Sequence, residues 1–544
     1  MITNKYVEHY IDLYESGNIK LNKERIQLID FLKQHVLVRD DLYFDDEQIE
    51  NYIKFSEKWY FPLEPFQKFI AAFVFLFYKE TGRNFFRKFL IMMGRGGGKN
   101  GYITTLTNYL SSELHGIPKY NVSIVANSED QAKTSFMEMY DTIEEHETLD
   151  DLFHRTKVEI KNHATKSIVK YRTSNASTKD GLRDGCVIYD EIHQYQTNEV
   201  VRVFSSGLGK VKNPREFFIG TDGYVREGYL DKMKERAQNI LNQQELNDSL
   251  FPFICKLDNK DEAENIDNWE KANPMFCEPR SEYAEELFYI VKEEYKDLVN
   301  DPSNREEFMT KRMNIPEVDL TKTIAPWEDI LATNRPFPEL EHRVALGGLD
   351  YASIKDFAAV GLLFKVGEDY VWKSHSFVRQ GFLDNVKLKA PIKEWEERGL
   401  LTIVDEPTID IKHIVNWFVE MREHYGVNRI VSDTFRLDLV KTALEAEGFE
   451  LIYIRNPKAI HSKLAPRVET IFANHNIIFD DNPLMRWYTN NVYVKIKKDG
   501  NKEYLKKDEV RRKTDGFHAF IHALFEADNV LEEEEDFYLD EITF

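Results

Sequence analysis

The sequence predicts an α/β protein built as two large domains in series. Three observations predict it. In the first half an apolar strand runs into a glycine-rich loop, a lysine and a helix. About ninety residues later a second apolar strand ends in two adjacent acids. In the second half, two apolar strands end in single aspartates and a third aspartate opens a helix. Short apolar strands alternating with periodic helical stretches are the pattern of sheets covered by helices.

At 544 residues the chain is too long for one ordinary core, and two large domains is the natural expectation. Hydrophobic residues make up 42% and charged residues 31%, as in a globular enzyme. The formal net charge of -22 means that the surface as a whole repels nucleic acid, so any DNA contact must be a local basic strip. Residues 532–536 form an acidic run that reads as a solvated end. Cys186, Cys255 and Cys277 show no metal-binding spacing and fit a reducing compartment. The first twenty residues have no apolar signal core. The longest apolar run, 69–77, falls far short of the ~20 residues a membrane span needs and reads as one buried helix. Residues 316–338 are rich in proline and polar side chains without periodicity, which places a domain junction there.

Each element of the first half has a nucleotide rationale. Strand 89–93 leads to Gly94, Arg95, Gly96, Gly97, Gly98, Lys99 and Asn100, then to a helix. Glycines let backbone N–H groups turn inward around phosphate, and the lysine reaches the terminal phosphates. Aligned on Lys99, the first glycine of the phosphate-loop pattern is replaced by Met93 and the final hydroxyl by Asn100, whose carboxamide oxygen is the alternative contact to Mg2+. Strand 186–189 ends in Asp190 and Glu191, suited to hold the ion and to orient the attacking water respectively. The strand 217–219 ends in Gly220, Thr221 and Asp222, where a polar residue can sense the γ-phosphate or simply make a turn. Gln67, just before the apolar helix, can read adenine through its amide or lie at the surface. Arg95 and Arg183 are the arginines available to meet developing charge, in cis or from a neighbour.

The second half carries a different set. Strand 345–350 ends in Asp350, strand 429–433 ends in Asp433, and Asp515 opens a helical stretch. Carboxylates so placed can converge and hold two divalent ions that clamp a phosphodiester, and all-oxygen ligands favour Mg2+ or Mn2+ over zinc. His518 and His522 share a face of that helix and read as packing residues behind the site. Between Asp433 and Asp515 two alternating runs flank an Asp-Gly turn, a hairpin signal. Basic residues outnumber acids from Arg486 to Lys513, either to track phosphates or to guard strand edges.

In this order the loop ending in Lys99, the run Asp190-Glu191-Ile192-His193, the Gly220-Thr221-Asp222 strand end, and Asp350, Asp433 and Lys513-Thr514-Asp515-Gly516 resemble the large terminase subunit of tailed bacteriophages. Residues 307–316, followed by Pro326 and Trp327, are similar to the family's motor–nuclease junction, and the resemblance covers roughly 62–528. It implies an ASCE-type P-loop ATPase followed by an RNase H-like nuclease, with family roles on Lys99, Asp190, Glu191, Thr221, Asp350, Asp433 and Asp515. It also implies ATP with Mg2+, and Mn2+ as a second option in the nuclease. The implied partners are double-stranded DNA, a portal protein, a small terminase subunit and further copies of the chain in a ring on the portal. The implied place is the host cytoplasm, transiently on the procapsid and not in the mature virion. The expected division is a helical segment (1–60), the motor (61–316), a linker (317–342), the nuclease (343–530) and an acidic tail (531–544). The alternative is a superfamily-2-like helicase or remodelling ATPase, favoured by the Asp190–His193 run and Gln67; a docking protein without activity is a third reading.

Overall fold

The first half is organised by a parallel sheet buried on both faces. The computed structural model describes residues 2–531 apart from 174–181, 196, 227, 302–303, 317–321, 355, 387, 389, 498–499 and 509. The acidic run 532–536, the first residues of the expected linker and two turn residues of the hairpin lie outside the described residues. The chain divides into two compact units, Met1–Glu317 and Val318–Phe544.

In the first unit β1 (Leu42–Phe44) pairs antiparallel with β2 (Leu76–Tyr78). The main sheet contains β3 (Lys88–Met92), β4 (Asn121–Ala126), β5 (Phe153–Arg155), β6 (Ile160–Asn162), β7 (Ile168–Thr173), β8 (Asp184–Tyr189), β9 (Arg215–Gly220) and β10 (Leu250–Ile254), in the order β10-β3-β9-β8-β4-β7-β6-β5. From β10 to β7 every pair is parallel. Strands β8, β9 and β10 are buried at every position, as a sheet covered on both faces requires. The carboxyl ends of β3, β8, β9 and β10 therefore share one edge, with β9 between the strand that feeds the glycine loop and the strand that ends at Asp190.

The apolar run 69–77 is not one helix. The helix spans Pro65–Val74, and Leu76–Tyr78 pairs with β1, bringing Phe77 and Tyr43 to 5.9 Å between ring centres. The first sixty residues are not a separate piece: Tyr10 packs on Phe69 at 4.5 Å, and buried Arg25 donates to the carbonyls of Glu270 and Lys271.

In the second unit the sheet contains β11 (Val344–Asp350), β12 (Ala358–Val366), β13 (Asp369–Arg379), β14 (Leu401–Val404), β15 (Gly426–Ser432) and β16 (Glu450–Tyr453), ordered β14-β13-β12-β11-β15-β16, with β17 (Ile477–Ile478) beside β13. Strands β11, β12 and β13 are antiparallel neighbours, while β11–β15, β15–β16 and β13–β14 are parallel. One face is covered by the helix Asp515–Val530, the other by Ile411–His424 and Leu437–Ala446. The expected hairpin forms as β18 (Val492–Ile496) and β19 (Lys502–Lys506). Residues 322–342, expected as linker, are folded into this unit: Ile324 and Ile330 are buried, and the Phe479 N–H donates to the Thr333 carbonyl at 2.9 Å.

Gly348 sets how closely the helix of Asp515 approaches β11, since a Cβ built there would stand 2.2 Å from the Ala519 carbonyl oxygen. Gly348→Ala is expected to force that helix outward, at a cost of about 1–3 kcal/mol. Denaturant unfolding measures the loss, and an unchanged unfolding midpoint would contradict the tight contact.

Candidate active sites

Four carboxyl ends meet at one edge of the first unit. Lys99 begins the helix Lys99–Ser111 after a loop in which Gly96 and Gly98 have φ of +89° and +75°. Left-handed backbone at both positions curls the loop at little steric cost. The helix Glu282–Asp297 lies over it, its Tyr283 hydroxyl donating to the Gly96 carbonyl at 2.9 Å. The Lys99 ammonium is buried and donates to the Met93 carbonyl at 2.9 Å and that of Gly94 at 3.4 Å. Burial pushes its pKa down, against the opposing pull of Glu191 and Asp190.

Asp190 follows β8, buried, and accepts from the Glu191 N–H at 2.8 Å. Burial first, then the charge of Glu191, raises its carboxyl to about 7, while a hydrogen bond from Asn100 pulls the other way. Glu191 takes a left-handed backbone, φ +48°, which turns its side chain toward His193. Its Oε2 lies 3.0 Å from His193 Nδ1, at an angle short of a formed hydrogen bond. Burial pushes Glu191 up, but His193, Lys99 and Lys311 outweigh it and hold the carboxyl at about 2.

Thr221 is buried at the end of β9, its hydroxyl donating to the Asp222 carbonyl. Gln67 stands beside the loop, its Nε2 3.4 Å from where a Cβ on Gly98 would be, but its Oε1 accepts from the Glu64 N–H as part of a helix cap. Paired hydrogen bonds to adenine would have to break that cap. Arg95 reaches Glu307 at 3.0 Å. Arg183 precedes β8 at the end opposite Asp190, about 20 Å away at ~3.3 Å per residue. Of the two options the sequence left open for Arg183, in cis or from a neighbour, this position disfavours the first. Sequence reasoning missed Lys311, Asn314 and the part played by His193, because Lys311 joins the site from more than a hundred residues away.

In the second unit, parallel pairing sets Leu349 opposite Ser432, so Asp350 and Asp433 leave adjacent strands side by side. Asp515 opens a helix packed on both strands. Burial, then Asp515 and Asp433, push Asp350 well above the usual carboxylate range. Burial, then Asp356, raise Asp515 to about 7 against Lys506 and Lys513. Asp356, which sequence reasoning passed over, is a fourth member. Burial raises it, but Lys506 and Lys513 (Nζ 3.0 Å from Asp356 Oδ1) bring it below the usual range. Lys506 on β19 also stands 3.8 Å from Asp515, so this hairpin lysine faces the acids. Lys502 and Lys497 are ion-paired with Glu469 and Glu503. His522 Nδ1 bonds the Leu349 carbonyl at 2.8 Å and His518 Nδ1 that of Thr514 at 3.0 Å, so both serve as supports.

The donor set suits a hard divalent ion: carboxylates only, with Asp515 Oδ2 buried without a hydrogen-bond partner. Among the described residues no three His, Cys, Asp or Glu side chains stand in the geometry of a finished metal cage, and lysines share the cluster.

A family model described as the ATPase domain of the terminase large subunit matches residues 65–239, and one described as its endonuclease domain matches 244–531. The chain belongs to the terminase large subunit family. As such it carries an ATPase domain followed by an endonuclease domain, and the helicase reading is not favoured. The endonuclease match begins inside the first compact unit, where β10 pairs with β3 and so extends the sheet of that unit. The terminase large subunits of Lactococcus phages p2 and SK1 are each 23% identical over 537 residues, covering 94% of this chain and 93% of theirs. The crystal structure of the HK97 bacteriophage large terminase is 18% identical, covers 88% of this terminase large subunit and 99% of its own chain, and superposes with a TM-score of 0.47. Among the described residues no helix is long and apolar enough to cross a membrane.

The raised pKa of Asp515 has a consequence for stability. Its folded value stands above the ordinary carboxylate value, so folding takes up a proton between the two and stability is lost as pH rises toward about 7. In chelator, Asp515→Asn should therefore melt above wild type near pH 8 and close to it near pH 4. An equal difference at both pH values would show that the carboxylate is not the cause.

Proposed function

We propose that this terminase large subunit hydrolyses ATP to drive double-stranded viral DNA into a procapsid, and cuts concatemeric DNA with divalent ions. The reading is carried by two acid-rich edges in one chain. A glycine loop with Lys99 faces Asp190 and Glu191 in one unit, and in the other Asp350 and Asp433 at the ends of parallel strands gather with Asp356 and Asp515. In the first, loop peptides 94–98 and Lys99 take the phosphates, Lys99 giving up its carbonyl partners for them. Asp190 and Asn100 would hold Mg2+, which neutralises phosphate charge. Glu191 orients the attacking water and accepts its proton, and Thr221 reads the γ-phosphate. Arg95 is the cation at the chain's own loop, while Arg183 faces away and is assigned to a neighbouring copy's site in a ring.

In the second, Asp350, Asp433 and Asp515, joined by Asp356, would hold Mg2+ or Mn2+, which activate water and stabilise the leaving oxygen. Lys506 and Lys513 balance the acids' charge. The proposed partners are double-stranded DNA, a portal protein and a small terminase subunit, met in the host cytoplasm and transiently on the procapsid.

Glu191→Gln should lower ATP turnover by ~10²–10⁴-fold while nucleotide binding and DNA cutting persist. Asp433→Asn should do the reverse, stopping cutting and sparing ATP turnover. Retained hydrolysis in the first or retained cutting in the second removes that residue from its role. Asn100→Thr should keep ATP turnover where Lys99→Ala loses it; equal loss in both would make Asn100 an essential ligand.

A further inference from the structure

His193 joins the catalytic acids to the strand end that carries Thr221. It sits in the turn Ile192–Gln194 directly after Glu191. Its ring occupies a slot in the β9 turn: a Cβ built on Gly223 would come within 2.6 Å of His193 Cδ2, and one on Gly220 within 3.4 Å of Nδ1. One ring nitrogen, Nδ1, faces Glu191 Oε2 at 3.0 Å. The other, Nε2, lies 2.8 Å from the Lys311 ammonium.

Lys311 ends the helix Arg305–Lys311 and is buried. Its ammonium also donates to the Asp222 carbonyl at 2.9 Å and to the Thr221 hydroxyl at 3.3 Å. Its own carbonyl accepts from the Arg95 N–H of the glycine loop at 2.7 Å. The three ammonium protons thus have three acceptors, and an ammonium has no lone pair to offer. His193 Nε2 must therefore be the bare nitrogen, and a neutral ring carries its proton on Nδ1, toward the Glu191 carboxylate. The opposite tautomer would set two N–H groups against each other at one end of the ring. At the other it would turn a lone pair on the carboxylate.

We propose that Lys311 is a positioning residue for ATP hydrolysis, holding His193 in the Nδ1–H form that orients Glu191 and tying the same ring to the Thr221 turn and the glycine loop. The inference rests on the reading of Glu191 as the residue that activates water. Lys311 is not assigned to the phosphates. It acts through His193, so its removal loosens the base and leaves the nucleotide held.

The test uses the full chain. Lys311→Met should lower kcat for ATP about 10–100-fold, less than loss of the base itself, with KM within about threefold. In a His193→Leu background the same change should cost less than about threefold more, because the path it acts through is gone. His193→Gln should keep more activity than His193→Leu, since a carboxamide offers an acceptor to Lys311 and an N–H to Glu191. This pair stands as the test if Lys311→Met fails to fold. Nitrogen-15 NMR of labelled histidines should show Nδ1–H at His193 in the wild type and Nε2–H appearing in Lys311→Met. A tenfold rise in KM with kcat intact would make Lys311 a phosphate ligand and overturn the proposal. So would fully multiplicative effects in the double variant, equal activity in the Gln and Leu variants, or an unchanged tautomer. If Glu191→Gln still hydrolyses ATP, the underlying reading fails. If it is inactive and Lys311→Met is normal, the positioning role alone fails.

Discussion

Parallel strand pairing is the constraint on which both sites depend. Strands β3, β9 and β8 run side by side in register, Met92 opposite Gly220 and Tyr189 opposite Phe218. The segments leaving these strands must then emerge on one edge: the glycine loop after β3, Thr221 after β9, Asp190 and Glu191 after β8. In the second unit the pairing of β11 with β15 does the same for Asp350 and Asp433, and the helix of Asp515 lies across them. The sheet edge is also where backbone groups stop pairing with neighbours, so loops there are free to turn toward a ligand.

Gathering like charges at a buried edge opposes folding, and each unit meets that cost with its own cations. In the second, Lys506 and Lys513 stand among the aspartates and bring Asp356 below the usual range, yet Asp350 remains well above it. In the first, Lys99 is engaged by loop carbonyls, and burial together with the charge of Glu191 keeps Asp190 near 7. The second site, four aspartates against Lys506 and Lys513, is more acidic than its resident cations neutralise, a composition poised for added positive charge.

Much of this was legible in the sequence because it is local. Strand, loop and lysine lie within a dozen residues, and the acids sit at strand ends that hydrophobic runs mark out. The hairpin was readable from its turn and alternation. The features that stayed hidden depend on distance or on partner. Lys311 looks like any basic residue at a helix end until the fold sets it on His193. Asp356 lies in the loop between β11 and β12 instead of ending a strand, and only its contacts with Lys506 and Lys513 distinguish it. Lys506 resembled its hairpin neighbours, whose alternation could not say which lysine would turn inward. Whether Arg183 serves its own chain or a neighbour stayed open because the few residues between it and Asp190 span the whole length of β8. The run 69–77 deceived because apolar length alone cannot separate a helix from a helix followed by a strand.

The segment 311–314 closes the first unit late in the chain. Asn314 accepts from the Asp222 N–H and donates to the Cys255 carbonyl, and Arg312 donates to the Arg95 carbonyl. A chain is made from its amino end, and domains fold as units during synthesis. The glycine loop, Asp190 and Thr221 are therefore all made well before the residues that brace them. A nascent chain that ends before residue 311 has the glycine loop, Asp190 and Thr221 and lacks these ties. In the second unit the Asp515 helix comes last in the same way. Each candidate site is thus completed in synthesis by a late piece of its own unit, the first by the segment 311–314 and the second by the helix of Asp515 about two hundred residues later.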